Sequence, residues 1–267
     1  MIRRAEISRL AYRFGVPERT IQKDYVITCV LRELAPLMNT CGLRFKGGTC
    51  LKKCYFPQYR FSEDLDFTLE DGASVEEACA SLQRVAARLA EDGIGIDLGD
   101  PIVRSEGLTY LARIVGPLGS AGKLKLDVTT HELLLFRPSE KSLLDIYSDA
   151  GLRLSIRCYS LDEILLEKMV CLLDPTRIQP RDLYDLVRLF ESGAVDIEGA
   201  AWRFEEKARF KGLDSANLRE MIDRKSARLK HAWESQLSEQ IPGGELPGYE
   251  DGERQILRVL KRHHLIG

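Results

Sequence analysis

The chain has 267 residues, of which 44% are hydrophobic, 30% charged and 7% aromatic, enough apolar material for one large core or two moderate ones. Its 39 Lys and Arg against 41 Asp and Glu leave a formal net charge of -2. That balance excludes a histone-like polycation and an acidic disordered tail.

The opening MIRRAEISRLAYRFGVPER carries charges and no apolar h-region, so no signal peptide is expected. No stretch approaches the roughly 18–20 consecutive apolar residues of a membrane span. These features predict a cytoplasmic protein with no membrane partner. Residues 5–37 read as two helices broken at Gly15-Val16-Pro17, where glycine stops one and proline restarts the next. The run LAYRFGVPERTIQ resembles a helix-turn-helix, which raises a DNA-binding regulator as one reading. An ordinary helical hairpin is favoured, because Val26, Val30 and Leu34 continue an apolar stripe beyond any recognition helix.

LRFKGG (43–48) reads as a short strand ending in two glycines, with a helix beginning over Thr49 to Tyr55. FSEDLDFTLE (61–70) reads as a turn and a strand, because Leu65, Phe67 and Leu69 alternate with Asp64, Asp66 and Thr68. Residues 75–92 carry Val75, Ala78, Leu82, Val85 and Leu89 at helical spacing. Strands follow at 108–115 and 123–130, joined by the turn GPLGSAG at 116–122. From 160 the pattern becomes helical. Ser160 and Glu163 spell a capping box, a second helix follows Pro180, and more run through 196–235. An acidic Pro/Gly-rich loop (241–253) precedes a short final helix. The fold class is therefore α+β, a mixed-sheet lobe over residues 1–158 followed by a mostly helical lobe over 159–267.

The seven cysteines are odd in number, include no CxxC pair and have mostly apolar neighbours. That pattern argues for reduced structural thiols rather than a disulfide framework or a zinc site. Cys50 and Cys54 are four apart, with no second ligand pair at suitable spacing. The His263-His264 pair near the C-terminus lacks nearby acids and is not expected to bind metal.

The stretch that carries chemistry is GGTCLKKCYFPQYRFSEDLDF, residues 47–67. Asp64 and Asp66 are two apart on a strand, so both side chains point to one face. Two such carboxylates repel each other unless a cation lies between them, and Mg²⁺ accepts hard oxygen ligands together with substrate phosphate. Gly47 and Gly48 offer backbone N–H groups close to a helix start with no Cβ to block a phosphate. A lone DxD pair also occurs as decoration on a solvent-facing strand. A third acid, Asp127, stands between Leu126 and Val128 on the predicted neighbouring strand, where it needs a partner. Three carboxylates on adjacent strands form the ligand set of a two-metal phosphoryl- or nucleotidyl-transfer site.

With FKGGTCLKK (45–53), RFSEDLDF (60–67), KLDV (125–128), YSLDEILLEKMVCLL (159–173), PRDLYDL (180–186) and QKDYVI (22–27), the chain resembles the AbiEii-type nucleotidyltransferase toxins. These belong to the polymerase-β-like nucleotidyltransferase superfamily and to bacterial toxin–antitoxin and phage-defence systems. The resemblance spans about residues 5–190 and implies a Mg²⁺ (or Mn²⁺) site at Asp64, Asp66 and Asp127, with a nucleoside triphosphate as substrate. It also implies a separately encoded antitoxin. The wider superfamily often has Gly-Ser where this chain has Gly48-Thr49; threonine keeps the hydroxyl and with it a possible phosphate contact. Lys46 and Arg60 would neutralise triphosphate charge, with solvation at the surface as the alternative for each. Ser62 is either a turn hydroxyl serving local backbone or, by resemblance, a position close enough to the metals to influence or receive a transferred group.

On a helical wheel Lys168 falls inside the stripe of Leu161, Ile164 and Leu172, so it either snorkels to solvent or pairs with an anion. Asp182 sits between Leu186 and Leu189, with Asp185 at the margin of their stripe. A structural Lys–Asp tie between two helices is one reading. The resemblance favours the other, in which Lys168 meets the triphosphate and Asp182 or Asp185 orients it. Residues 203–230 hold nine Lys and Arg against five acids, a basic segment suited to RNA. The reaction expected is transfer of a nucleoside monophosphate to an acceptor, a tRNA 3′ end being favoured. The N-terminal lobe would bind the cation and triphosphate, and the helical lobe would complete the site and contact the acceptor. An antibiotic- or metabolite-modifying nucleotidyltransferase is the enzymatic alternative.

Overall fold

A computed structural model describes residues 1–151, 153–244 and 246–267. Leu152 and Glu245, the latter within the anticipated acidic loop, lie outside the described residues. The chain forms two compact units. The first comprises Met1–Glu132, Pro138–Cys158 and Glu239–Gly244; the second comprises Leu133–Arg137, Tyr159–Ser238 and Glu245–Gly267. The fold class is α+β with a mixed sheet, and every strand among the described residues lies in the first unit.

That unit opens with α1 (Arg4–Phe14) and α2 (Glu18–Leu34). Gly15 closes α1 at a φ of +64°, a left-handed conformation in which its N–H reaches back to Tyr12 O. Helix α2 is buried along nearly its whole length, including Gln22, Asp24 and Thr28. Gln22 Oε1 accepts from Leu118 N at 2.7 Å, so this polar side chain caps the turn between two strands. Only the first turn of α2 faces outward, where Arg19 pairs with Glu239, and the burial of the rest favours the hairpin reading over the helix-turn-helix.

After α3 (Met38–Cys41) comes β1 (Leu43–Lys46), then α4 (Gly47–Cys50), which widens into a π-turn at Leu51–Tyr55. The helix thus begins two residues earlier than the sequence suggests, because the glycines themselves form its first turn. Strand β2 (Asp64–Leu69) follows, then α5 (Val75–Glu91), whose Ala78, Leu82, Val85 and Leu89 are buried as their spacing predicts. Strands β3 (Gly95–Asp97), β4 (Ile102–Arg104), β5 (Gly107–Val115), β6 (Ala121–Thr129), β7 (Ser139–Ser142) and β8 (Ser155–Cys158) complete the sheet. The order is β3-β5-β6-β2-β1-β8-β7, with β4 on β5. Pairing is parallel at β2–β6 and β1–β8 and antiparallel elsewhere.

Phe45, Leu65, Phe67, Leu124, Leu126 and Val128 fill the buried side of the central strands. A buried polar cluster ties α2 to the π-turn. Lys53 Nζ lies 2.6 Å from Asp24 Oδ2 and 2.8 Å from Thr28 Oγ1, and the Tyr147 hydroxyl donates to the same carboxylate at 2.7 Å. Burial pushes the Asp24 carboxyl up, but Lys53 and Lys52 outweigh it and hold the group below its usual range.

The second unit is helical: α6 (Leu161–Cys171), α7 (Pro180–Ser192), α8 (Ile197–Phe210), α9 (Leu218–Leu237) and α10 (Tyr249–Arg262). Ser160 caps α6 by accepting from Glu163 N at 3.2 Å, and Pro180 opens α7 at its first turn. The reciprocal half of the capping box is not made. Glu163 Oε2 instead accepts from Leu135 N and Phe136 N at 2.9 and 2.8 Å, while Oε1 pairs with Lys207 at 2.7 Å.

The basic segment 203–230 is not one continuous exposed face. Lys207 is fully buried on Glu163, and Lys225 is buried with Nζ donating to the carbonyls of Cys171 and Asp174 at 3.2 and 3.1 Å. Arg209 pairs with Glu205 and Arg219 with Asp223 one helical turn away, and Lys230 pairs with Glu250. Arg224 and Arg228 stay exposed on α9.

Candidate active site

The acidic residues come together through strand register. Across β1, β2, β6 and β5 one row reads Lys46, Asp66, Asp127, Thr109, each residue the direct neighbour of the next. Asp66 and Asp127 therefore project side by side from adjacent strands about 4.8 Å apart. Asp64 lies one pleat repeat along, beside Lys125. The three carboxylates share one face and are half-buried, while Leu65, Phe67, Leu126 and Val128 between them point into the core. The DxD spacing predicts this alternation; the β2–β6 register adds the third acid.

Two side chains not anticipated from sequence hold Asp127. Thr109 Oγ1 donates to its Oδ1 at 2.6 Å, and Lys125 pairs with its Oδ2. Thr109 had no distinguishing signal, since it is one polar position in an alternating strand. Lys125 is visible only in retrospect, as a cation two residues before an acid on the same strand face.

The glycine turn is built against the same row. Gly47 adopts φ +78°, and a Cβ there would lie 2.5 Å from Asp66 Oδ2. No L side chain fits this position: the conformation disfavours one and the carboxylate fills its space. Thr49 Oγ1 donates to the backbone carbonyl of Asp64, pinning the start of α4 to the start of β2. Its hydroxyl proton is therefore committed to the backbone. The three carboxylates on this face are hard oxygen donors of the kind a divalent cation takes, with Asp127 Oδ2 paired to Lys125 in this structure.

Lys46 and Arg60 are both buried, so neither is solvated as the alternative reading allowed. Lys46 Nζ lies 3.6 Å from Glu132 Oε2, and Arg60 Nη1 donates to Phe61 O at 3.3 Å and Gln240 Oε1 at 3.2 Å. Ser62 is buried two residues before Asp64, and Gly48 is buried within α4.

In the helical unit, Lys168 Nζ lies 2.6 Å from Asp182 Oδ1 and 2.7 Å from Asp185 Oδ2, joining α6 to α7. Arg177 Nε adds a second cation 2.5 Å from Asp182 Oδ2. Burial raises the Asp182 carboxyl, but Lys168 and Arg177 more than reverse that and hold it well below the usual carboxylate range. Of the two options left by the helical wheel, the lysine takes the anion-paired one and does not snorkel.

Among known proteins, the family model for the nucleotidyl transferase AbiEii toxin of type IV toxin–antitoxin systems matches residues 30–253. No curated protein matches the chain. Among solved structures, MenT4, a nucleotidyltransferase toxin from Mycobacterium tuberculosis H37Rv, superposes with a TM-score of 0.66 at 19% identity, covering 99% of this chain and 89% of that one. This likeness concerns the fold. An antigenic nucleotidyltransferase-like protein from Paracoccidioides brasiliensis is more distant, with a TM-score of 0.44 at 14% identity over 84% of this chain and 96% of that one.

Proposed function

Because the chain belongs to the AbiEii family of nucleotidyltransferase toxins of type IV toxin–antitoxin systems, we propose that it transfers a nucleoside monophosphate from a triphosphate to RNA, with a tRNA 3′ end as the acceptor. The observation that carries this reading is the row in which Asp66 and Asp127 stand side by side with Gly47 closed against Asp66. Asp64, Asp66 and Asp127 would hold Mg²⁺ or Mn²⁺, which when bound neutralises triphosphate charge and lowers the pKa of an attacking hydroxyl.

The acceptor oxygen forms a bond to the α-phosphorus as the bond to the β-phosphate oxygen breaks, and pyrophosphate leaves. Gly47 and Gly48 let the triphosphate approach the main chain, and Thr49 fixes that turn to β2. Thr109 holds Asp127 in one orientation through Oδ1, and Lys125 gives up Oδ2 when the cation arrives. Lys46 and Arg60 supply positive charge toward the phosphates. Lys168 has the same role in this proposal, oriented by Asp182 and Asp185, and Arg224 and Arg228 are the exposed cations offered to RNA. The cellular partner is a separately encoded antitoxin. No described helix is long and apolar enough to cross a membrane.

The test incubates purified protein with each α-labelled nucleoside triphosphate, Mg²⁺ or Mn²⁺, and total cellular RNA. Label is expected on tRNA 3′ ends, and Asp66→Asn or Asp127→Asn should abolish it while the protein still melts cooperatively. Label on an aminoglycoside or another small molecule, with none on RNA from any source, would establish the metabolite-modifying alternative instead.

A further inference from the structure

Cys50 and Cys54 lie one turn apart on the helical segment that begins at Gly47, and Cys158 ends β8 beside Phe45 of β1 and Ser139 of β7. The chain returns after more than a hundred residues to set the third sulfur against the first two. All three Sγ atoms lie within 4.8 Å of one another, and none is in a disulfide. Cys50 and Cys158 are 0% exposed and Cys54 is 7% exposed, so the cluster is enclosed with one sulfur toward the surface. The Tyr55 hydroxyl lies 3.7 Å from Cys158 Sγ, and Lys53 and Lys141 place positive charge near Cys54 and Cys158. Among the described residues no histidine or carboxylate joins the group.

Three thiols used only as small apolar fillers have no reason to converge from two distant segments, with a phenol and two ammonium groups around them. A metal bound at about 2.3 Å to each of three sulfurs sets those sulfurs roughly 4 Å apart, within the spacing found here. Thiolate ligands select soft cations.

We propose that Cys50, Cys54 and Cys158 form a three-thiolate site for a soft d¹⁰ cation, Cu⁺ or Zn²⁺. Each cysteine gives up its proton to solvent and ligates through sulfur, and Lys141 offsets part of the surplus negative charge, Lys53 being already paired with Asp24. Three sulfurs with no fourth protein donor favour Cu⁺, whereas Zn²⁺ needs a solvent ligand admitted beside Cys54. Cys50 is the last residue of the helix that opens at Gly47, so an ion here fastens that turn to β8 independently of anything bound at the aspartates.

The experiment uses the reduced full chain under anaerobic conditions. Cd²⁺ serves as the spectroscopic probe through its sulfur-to-metal charge-transfer band, Cu⁺ is titrated against a bathocuproine chelator, and Zn²⁺ against a chromophoric chelator. One ion per chain is expected, with a rise in melting temperature on loading. Cys158→Ser and Cys54→Ser should each weaken binding at least about tenfold, and Cys79→Ser, outside the cluster, should leave it unchanged. Cys54→Ser is the variant least disruptive to packing, so it keeps the test decisive if Cys158→Ser does not fold. Tightest binding by Cu⁺ or by Zn²⁺ identifies the cation. Absence of the band and of any melting shift in the wild-type chain would overturn the proposal, as would binding that survives both cluster substitutions.

Discussion

Replacing Lys168 with Met keeps most of the side-chain stem but removes the ammonium that lies 2.6 and 2.7 Å from Asp182 and Asp185. Both carboxylates are buried, at 3% and 0% exposure. Removing one partner of a buried ion pair typically costs about 3–5 kcal/mol, because the remaining charge keeps its desolvation penalty and loses its compensation. Arg177 still neutralises Asp182, and Lys168 itself is 8% exposed, so the lower end applies. The expected loss is about 3 kcal/mol. The chain's two tryptophans, Trp202 on α8 and Trp233 on α9, both belong to the helical unit, so fluorescence during urea unfolding reports that unit directly. Adding Asp185→Asn to the variant should recover part of the loss by removing a charge that has lost its ammonium. The sign with pH follows from the lowered Asp182 carboxyl. Its stabilisation is fully present above the ordinary value of 3.8 and is lost as pH falls below it toward the folded-state value. Wild type should therefore lose stability on acidification more steeply than Lys168→Met. A change in unfolding free energy below about 1 kcal/mol, with no recovery in the double variant, would refute the buried-pair reasoning.

Gly47→Ala should abolish transferase activity, since its methyl would occupy the space 2.5 Å from Asp66 Oδ2 and the residue would have to hold φ +78°. A calorimetric Mn²⁺ titration should show weaker binding than wild type, and unchanged metal affinity would count against the cradle described for that turn. Neutralising Arg224 and Arg228 together should weaken RNA binding and flatten its dependence on salt by about two units of slope. Circular dichroism should remain unchanged, because both residues are exposed on α9; an unaltered salt slope would place the RNA contacts elsewhere.

The long half-buried strands were legible because alternation records burial on one side. β2, β5 and β6 each show it, and so does the amphipathic α5. Strands β3, β4, β7 and β8 were not. They are three or four residues long, and segments such as SEKS at 139–142 carry no apolar alternation; pairing to a neighbour defines them. Asp127 was readable as a misplaced acid, but its direct adjacency to Asp66 depends on a parallel register between segments some sixty residues apart. Lys168 stood out because a cation inside an apolar stripe demands an anion, and the structure supplies two. The basic segment was legible only in part. Counting charges cannot separate Lys207, which pairs with the buried Glu163, and Lys225, which donates to backbone carbonyls, from the arginines that face solvent. Cys158 carried no signal, because its proximity to Cys50 and Cys54 arises only when β8 joins the sheet.

The unit that carries the aspartates is not finished when its last strand is made. Phe61 N donates to Gln240 O at 2.6 Å, and Arg60 donates to the Gln240 side chain, so the segment leading into Asp64 is held by a residue about 180 positions later. A ribosome must translate the entire helical unit before this support exists, and closing so long a loop is a late, entropically costly event. Premature termination between Cys158 and Gln240 therefore yields a fragment that contains every candidate metal ligand yet lacks the Gln240 contacts to Arg60 and Phe61.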